Sequence, residues 1–160
     1  MRRRLHIAFC AAALTAGLLV TSCGDDSCND NGSSLPLAIL CIGDTQQNIA
    51  GLTVMGIGVP GDSLLVDSTS VNELHLPLRA SATTTSYMFK RTISTEATVT
   101  DTVTIDYRPI EYFHSTACGA MFNFDISSAR CTTHGLDSVV VLTSLVTNAR
   151  IPALRIHFKQ

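Results

Sequence analysis

From residue 73 onward, apolar and polar positions alternate in one short segment after another. Leu74, Leu76 and Leu78 are set against Glu73, His75 and Arg79, and Tyr87 and Phe89 against Ser86, Met88 and Lys90. Val103, Ile105 and Tyr107 oppose Thr102, Thr104, Asp106 and Arg108, while Phe122, Phe124 and Ile126 oppose Asn123 and Asp125. Near the end, Leu154, Ile156 and Phe158 oppose Arg155, His157 and Lys159. A period of two over such short runs, each bounded by turn residues, predicts β-strands with one face on a core and one in water. Residues 35–42 are almost wholly apolar, as in a strand buried on both faces, and residues 51–59 predict another strand. Gly56 and Gly58 mark places for a bulge or a close backbone approach, a faint cue to a bound ligand. Pro60-Gly61-Asp62 predicts the turn that follows. Residues 138–145 are apolar without a clear period and fit either a strand or a helix. No repeat of roughly 20–50 residues is present, which argues against propellers and solenoids. The pattern predicts an all-β domain of about eight or nine strands: an antiparallel two-sheet sandwich, with a closed β-barrel as the alternative.

The N-terminus is built differently. Met1-Arg2-Arg3-Arg4 is basic, and residues 5–20 are apolar apart from His6, Thr15 and Gly17. That is the layout of a secretory signal, too short for a comfortable membrane span. Leu19-Val20-Thr21-Ser22-Cys23 then matches the lipobox of bacterial lipoproteins, in which the cysteine takes the lipid. The expected organisation is a lipoprotein signal over residues 1–22, a lipidated tether over 23–34 and a β-sandwich over 35–160. Residues 24–34 (GDDSCNDNGSS) have the Gly, Asp, Asn and Ser content of a tether. A diacylglycerol and an acyl chain on Cys23 supply the two signals that stable anchoring needs, so the membrane is the first expected partner.

Removal of Arg2, Arg3 and Arg4 turns 11 basic and 13 acidic residues into 8 against 13, a net charge of −5. No basic cluster remains to neutralise phosphates, and a nucleic-acid partner is not expected. The chain contains no GxSxG, HExxH or SxxK motif and no glycine-rich phosphate loop, so it reads as neither an enzyme nor a cofactor binder. Cys131-Thr132-Thr133-His134 has the spacing of half a zinc site, but no second ligand pair completes it, and no metal is expected. With Cys10 lost and Cys23 lipidated, Cys28, Cys41, Cys118 and Cys131 remain for an oxidising compartment. If residues 112–117 and 120–127 are successive strands, Cys131 lies about 26 Å from Cys118. A disulfide spans a Cα separation of only about 7 Å. The preferred pairing is therefore Cys28–Cys118 with Cys41–Cys131, each closing a loop of about 90 residues. The alternative for Cys41 is a free thiol buried among Leu37, Ile39 and Ile42.

Taken in order, the lipobox, Leu76-Pro77-Leu78, Asp101-Thr102-Val103-Thr104-Ile105-Asp106-Tyr107 and Tyr112-Phe113-His114-Ser115-Thr116-Ala117-Cys118-Gly119 resemble a family of uncharacterised lipoproteins of the Bacteroidota. That family is defined only as a domain of unknown function. The resemblance implies an outer-membrane lipoprotein of β-rich fold and no activity. In its pattern Cys28 and Cys118 look like the recurring pair, and Cys41 and Cys131 look like additions. Acidic residues at Asp25 and Asp26 leave both the periplasmic face and the cell surface open. The expected role is that of a structural or interaction accessory lipoprotein with an envelope protein as partner. The alternative is a small-ligand or glycan-binding module. Tyr87, Tyr112 and Phe113 are the candidates for a glycan platform, although a chain with no Trp and nine aromatics needs most of them in its core.

Overall fold

A computed structural model describes residues 34–58, 63–94, 97–115 and 118–160. The signal, Cys23, the tether with Cys28 and the Pro60-Gly61-Asp62 turn lie outside the described residues. The strands in chain order are β1 (Leu37–Ile42), β2 (Thr45–Gln46), β3 (Ile49–Ile57), β4 (Leu64–Val71), β5 (Glu73–His75) and β6 (Thr84–Thr92). They continue as β7 (Thr98–Ser115), β8 (Gly119–Cys131), β9 (Leu136–Val141), β10 (Leu145–Val146) and β11 (Pro152–Phe158). None of the described residues is helical, and the ambiguous stretch after residue 138 is strand, turn and strand. β2, β5 and β10 have two or three residues each, so eight longer strands carry the structure.

Two sheets face each other. One has the order β2-β1-β11-β9 with β5 also on β1, and the other the order β10-β8-β7-β6-β3-β4. Both keep free edges, so the fold is the open sandwich and not the closed barrel. All pairs are antiparallel except β1 with β11, where Ala38, Leu40 and Ile42 sit beside Leu154, Ile156 and Phe158 in parallel register. That pair brings the two ends of the domain together in the middle of the first sheet.

The alternating positions supply the core. Leu40, Leu52, Val54, Val103, Ile105, Leu154 and Ile156 are fully buried. Tyr87, Phe89, Tyr107, Phe124, Ile126 and Phe158 are nearly so. Tyr107 and Phe124 meet edge to face with centroids 5.5 Å apart, the arrangement the ring quadrupoles favour. β7 and β8 form a long hairpin whose distal part outruns the rest of the sheet, because β6 ends its pairing with β7 at Thr84 opposite Asp106. Pro109 sits in that overhang, where β7 has one neighbour and a missing amide hydrogen costs least.

Candidate functional site

Cys41 and Cys131 are free thiols, which overturns the expected Cys41–Cys131 bridge. Strand parity explains why. Ala38, Leu40 and Ile42 of β1 pack into the core, so Cys41 points from the opposite face of the first sheet. Cys131, at the end of β8 in the second sheet, packs against the core from the other side. Cys41 is the buried thiol that stood as the alternative, 1% exposed. Cys118, in the turn between β7 and β8, is disulfide-bonded, and its partner lies outside the described residues. Its amide donates to Ser115 Oγ at 3.1 Å.

Near Cys131 lies the buried carboxylate of Asp101. Asp101 shares the inward face of β7 with Val103 and Ile105 and is 3% exposed. The parity of those two residues is the signal that places it there. One oxygen accepts from Thr132 Oγ1 at 2.7 Å and the His134 amide at 2.7 Å, and lies 3.0 Å from His134 Nδ1. The other accepts from the amides of Gly135 and Leu136 at 2.6 and 2.9 Å. Burial pushes the Asp101 carboxyl up, but these donors outweigh it and hold the group at about 2. Cys131 is shifted upward, first by burial and then by the charges of Asp101 and Asp137. Its thiol stays protonated at neutral pH, so Cys131, His134 and Asp101 do not form an activated nucleophile. Among the described residues no group of three or more His, Cys, Asp or Glu is placed to hold a metal. Cys131 and His134 flank the loop that wraps Asp101.

Among the described residues, two of the hollows carry charged side chains. The first, an open groove of about 480 Å³, is lined by Gly43, Asp44, Asp137, Ser138, His157 and Lys159. His157 Nδ1 lies 2.8 Å from the Gly43 carbonyl. Ser138 is the cross-strand neighbour of His157, but its hydroxyl donates to Asp137 at 3.4 Å. Serine and histidine are thus adjacent without being wired as nucleophile and base.

The second hollow is smaller and more enclosed, about 140 Å³, where the ends of β3, β4 and β6 meet the segment after β5. Leu65, Pro77 and Leu78 give it apolar walls, and Gly56 sits opposite Tyr87 in the β3–β6 register. Tyr87 and Thr85 bring hydroxyls, and Arg79 brings a guanidinium. The Arg79 backbone is pinned: its amide donates to Tyr107 Oη and its carbonyl accepts from the same oxygen, both at 3.0 Å. Thr85 Oγ1, 2.8 Å from Tyr107 Oη, completes the knot. Arg79 Nη1 and Nη2 reach the carbonyls of Gly58 and Thr84 at 3.4 and 3.2 Å. Its Nε is buried with no hydrogen-bond partner, and among the described residues no carboxylate pairs with it. Tyr87 donates to the Pro77 carbonyl. Burial, reinforced by Tyr107 and opposed by Arg79, raises the Tyr87 phenol. Gly56, singled out in the sequence, does border a cavity; Arg79 and the two hydroxyls left no sequence signal.

The aromatic candidates do not form a platform. Tyr87 is a core residue at 2% exposed and is not available to a glycan. Tyr112 stacks edge-on with His114 at 6.1 Å on one face of the hairpin overhang. Phe113, one residue on and therefore on the other face, is 69% exposed. Among the exposed apolar side chains of the described residues, three lie at or beside the free edge of the first sheet. Val140 and Leu142 are 43% and 41% exposed, and the Leu142 amide bonds Ala153 two residues beyond Ile151, itself 56% exposed.

A family model described as "Family of unknown function (DUF6452)" matches residues 51–158. No curated protein and no solved structure matches.

Proposed function

From the premise that the chain belongs to this family of unknown function (DUF6452), we propose that it is an accessory lipoprotein of the cell envelope that docks a protein partner. In this reading residues 1–22 are a signal, Cys23 carries the lipid, and the outer membrane of a Bacteroidota-type envelope is where the protein resides. The lipobox at Leu19-Val20-Thr21-Ser22-Cys23 supports the anchor. Val140 on the edge strand β9, with Leu142 just past its end and Ile151 just before the neighbouring β11, carries the docking role. An edge strand has backbone groups free to pair with a further strand, and exposed apolar side chains along it mark a contact surface.

The disulfide of Cys118 fits the same arrangement with Cys28 as its partner. Ser34, the first described residue, donates from its amide to the Phe122 carbonyl at 3.4 Å and from its hydroxyl to Asn123 at 2.8 Å. The chain thus enters the domain beside β8, about 15 Å from Cys118 along the strand. Cys28 lies six positions before Ser34, and six steps of extended chain span up to about 20 Å. Tied there, the tip of the β7–β8 hairpin would lie beside the lipid anchor.

Two measurements test the proposal. Cys23→Ala is expected to move the protein from membrane to soluble fractions; retention through detergent-free washing refutes the anchor. A photo-crosslinking residue at Leu142 in intact cells is expected to capture one defined envelope protein. The same residue at Leu64, an exposed leucine on β4 of the other sheet at 51%, is expected to capture none. Capture at both positions alike, or at neither, refutes the docking edge.

A further inference from the structure

Between Glu111 and Asp125, at the far end of the β7–β8 hairpin, the chain has no Asp, Glu, Lys or Arg. Phe113 is 69% exposed there, and its cross-strand neighbour is the exposed Ala120, which offers the ring only a methyl group. On the opposite face Tyr112 sits across from Met121 and meets His114 edge to face. Single exposed apolar residues are ordinary on a protein surface. What sets Phe113 apart is its place, on the reading that Cys23 carries the lipid and Cys28 is the partner of Cys118.

Ser34 joins β8 at Phe122 and Asn123, so the chain enters the domain on the hairpin itself. Cys118 lies in the hairpin turn, two positions before Ala120, or about 7 Å along the strand. Cys23 lies five positions before Cys28, and five steps of extended chain reach only about 17 Å from the bridge. The other end of the sheet is far off: Thr98, fifteen positions before Phe113 on β7, is about 50 Å away. Of the two ends, the hairpin tip is the one that can rest on the bilayer holding the anchor.

We propose that the tip of the β7–β8 hairpin is a lipid-docking surface, with Phe113 entering the interfacial layer of the bilayer and Tyr112 and Met121 beside it at headgroup level. Aromatic rings settle in that layer because it receives their apolar body and still solvates a polar edge or hydroxyl. Charge favours the same end. Without its signal the chain has 8 basic and 13 acidic residues, and none of the acids stands on the tip, so it approaches an anionic surface without repulsion. Anchor and tip together make two contacts, and the domain stands on its hairpin instead of swinging on its tether. The surface shares no residue with the β9 edge.

The chain has no Trp, so one introduced indole reports from one place. The full acylated chain carrying Phe113→Trp is reconstituted on vesicles of phosphatidylethanolamine and phosphatidylglycerol, with and without brominated acyl chains. Its emission is expected at shorter wavelength than in the unanchored Cys23→Ala background, and the brominated lipid is expected to quench it at least twofold. Ala120→Trp is expected to give the same result from the neighbouring strand, and it serves if Phe113→Trp fails to fold. Ile93→Trp, at a residue 59% exposed at the opposite end of the sheet, is expected to show neither effect. A chain that floats with the vesicles while its indole stays in water overturns this inference alone. A chain that does not float overturns the anchor and the inference with it. Equal quenching at Ile93→Trp also overturns it, because the domain would then lie along the membrane.

Discussion

Asp101 is the residue on which a whole turn of chain is wrapped. Its carboxylate takes the amides of His134, Gly135 and Leu136 and the hydroxyl of Thr132, so three consecutive backbone donors leading into β9 are satisfied by one side chain. With the folded carboxyl at about 2 and its ordinary value at 3.8, the unfolded chain takes up the proton first as pH falls. The contribution is thus fully present above pH 4 and drains away as pH falls from about 4 to 2, and for this nearly buried group it amounts to about 2 kcal/mol. Asp101→Asn is expected to lower stability by about that much at pH 7. In urea melts the gap between wild type and variant should close towards pH 2; a gap independent of pH would show that the charge contributes nothing. The thiols give a second prediction. Cys41 is buried, and the half-buried Cys131 is held in its protonated form. Both should resist a thiol reagent at pH 7 in the native protein and react once it is unfolded. The sequence showed Asp101 as one more acid before a strand, because alternation tells which way a side chain points but not what waits for it.

At the scale of elements, the strands were legible wherever one face is dry and the other wet. Tyr87 with Phe89 and Val103 with Ile105 are buried as their parity requires. The length of β7 was not legible, since residues 102–108 and the stretch from residue 112 read as two strands and belong to one, Thr98–Ser115. Only the missing neighbour beyond β6 makes a proline acceptable there. Gly51 makes the same point about bulges. It has φ of +65° where the β3–β4 register shifts between Ile49 and Leu52, and a Cβ on it would come within 2.5 Å of the Thr92 carbonyl oxygen. Gly51→Ala combines a left-handed backbone with a collision against main chain. It is expected to cost roughly 1–3 kcal/mol in a denaturant melt; a neutral substitution would mean that the bulge relaxes freely.

At the scale of the molecule, stability depends on joining the ends. β11 lies between β1 and β9, parallel to one and antiparallel to the other, and its Leu154 and Ile156 are fully inaccessible. Ile156→Ala is expected to cost roughly 2–5 kcal/mol, measured as the shift in unfolding free energy. The proposed Cys28–Cys118 bridge makes a prediction of the same reach. A loop of about 90 residues closed by a disulfide contributes on the order of 4–5 kcal/mol. Cys28→Ser and Cys118→Ser should therefore destabilise equally, and the double variant no further. Additive losses would mean that Cys118 has another partner.

The sequence by itself determined the class of fold and the inward faces, because a period of two is a local property that burial imposes directly on residue choice. It also marked Cys118 as a turn residue between two strands. Tertiary structure decided what depends on residues far apart in the chain. Cys41 and Cys131 were an arithmetically sensible pair until the two sheets set them on opposite sides of a packed layer. The parallel joining of β1 and β11 is set by how the ends meet, which no local pattern encodes. Arg79 became notable only when Tyr107, 28 residues away, fixed its backbone and the surrounding strands closed over its Nε. Periodicity is written residue by residue, whereas pairing, enclosure and the loss of water from a charged group exist only once distant segments have packed.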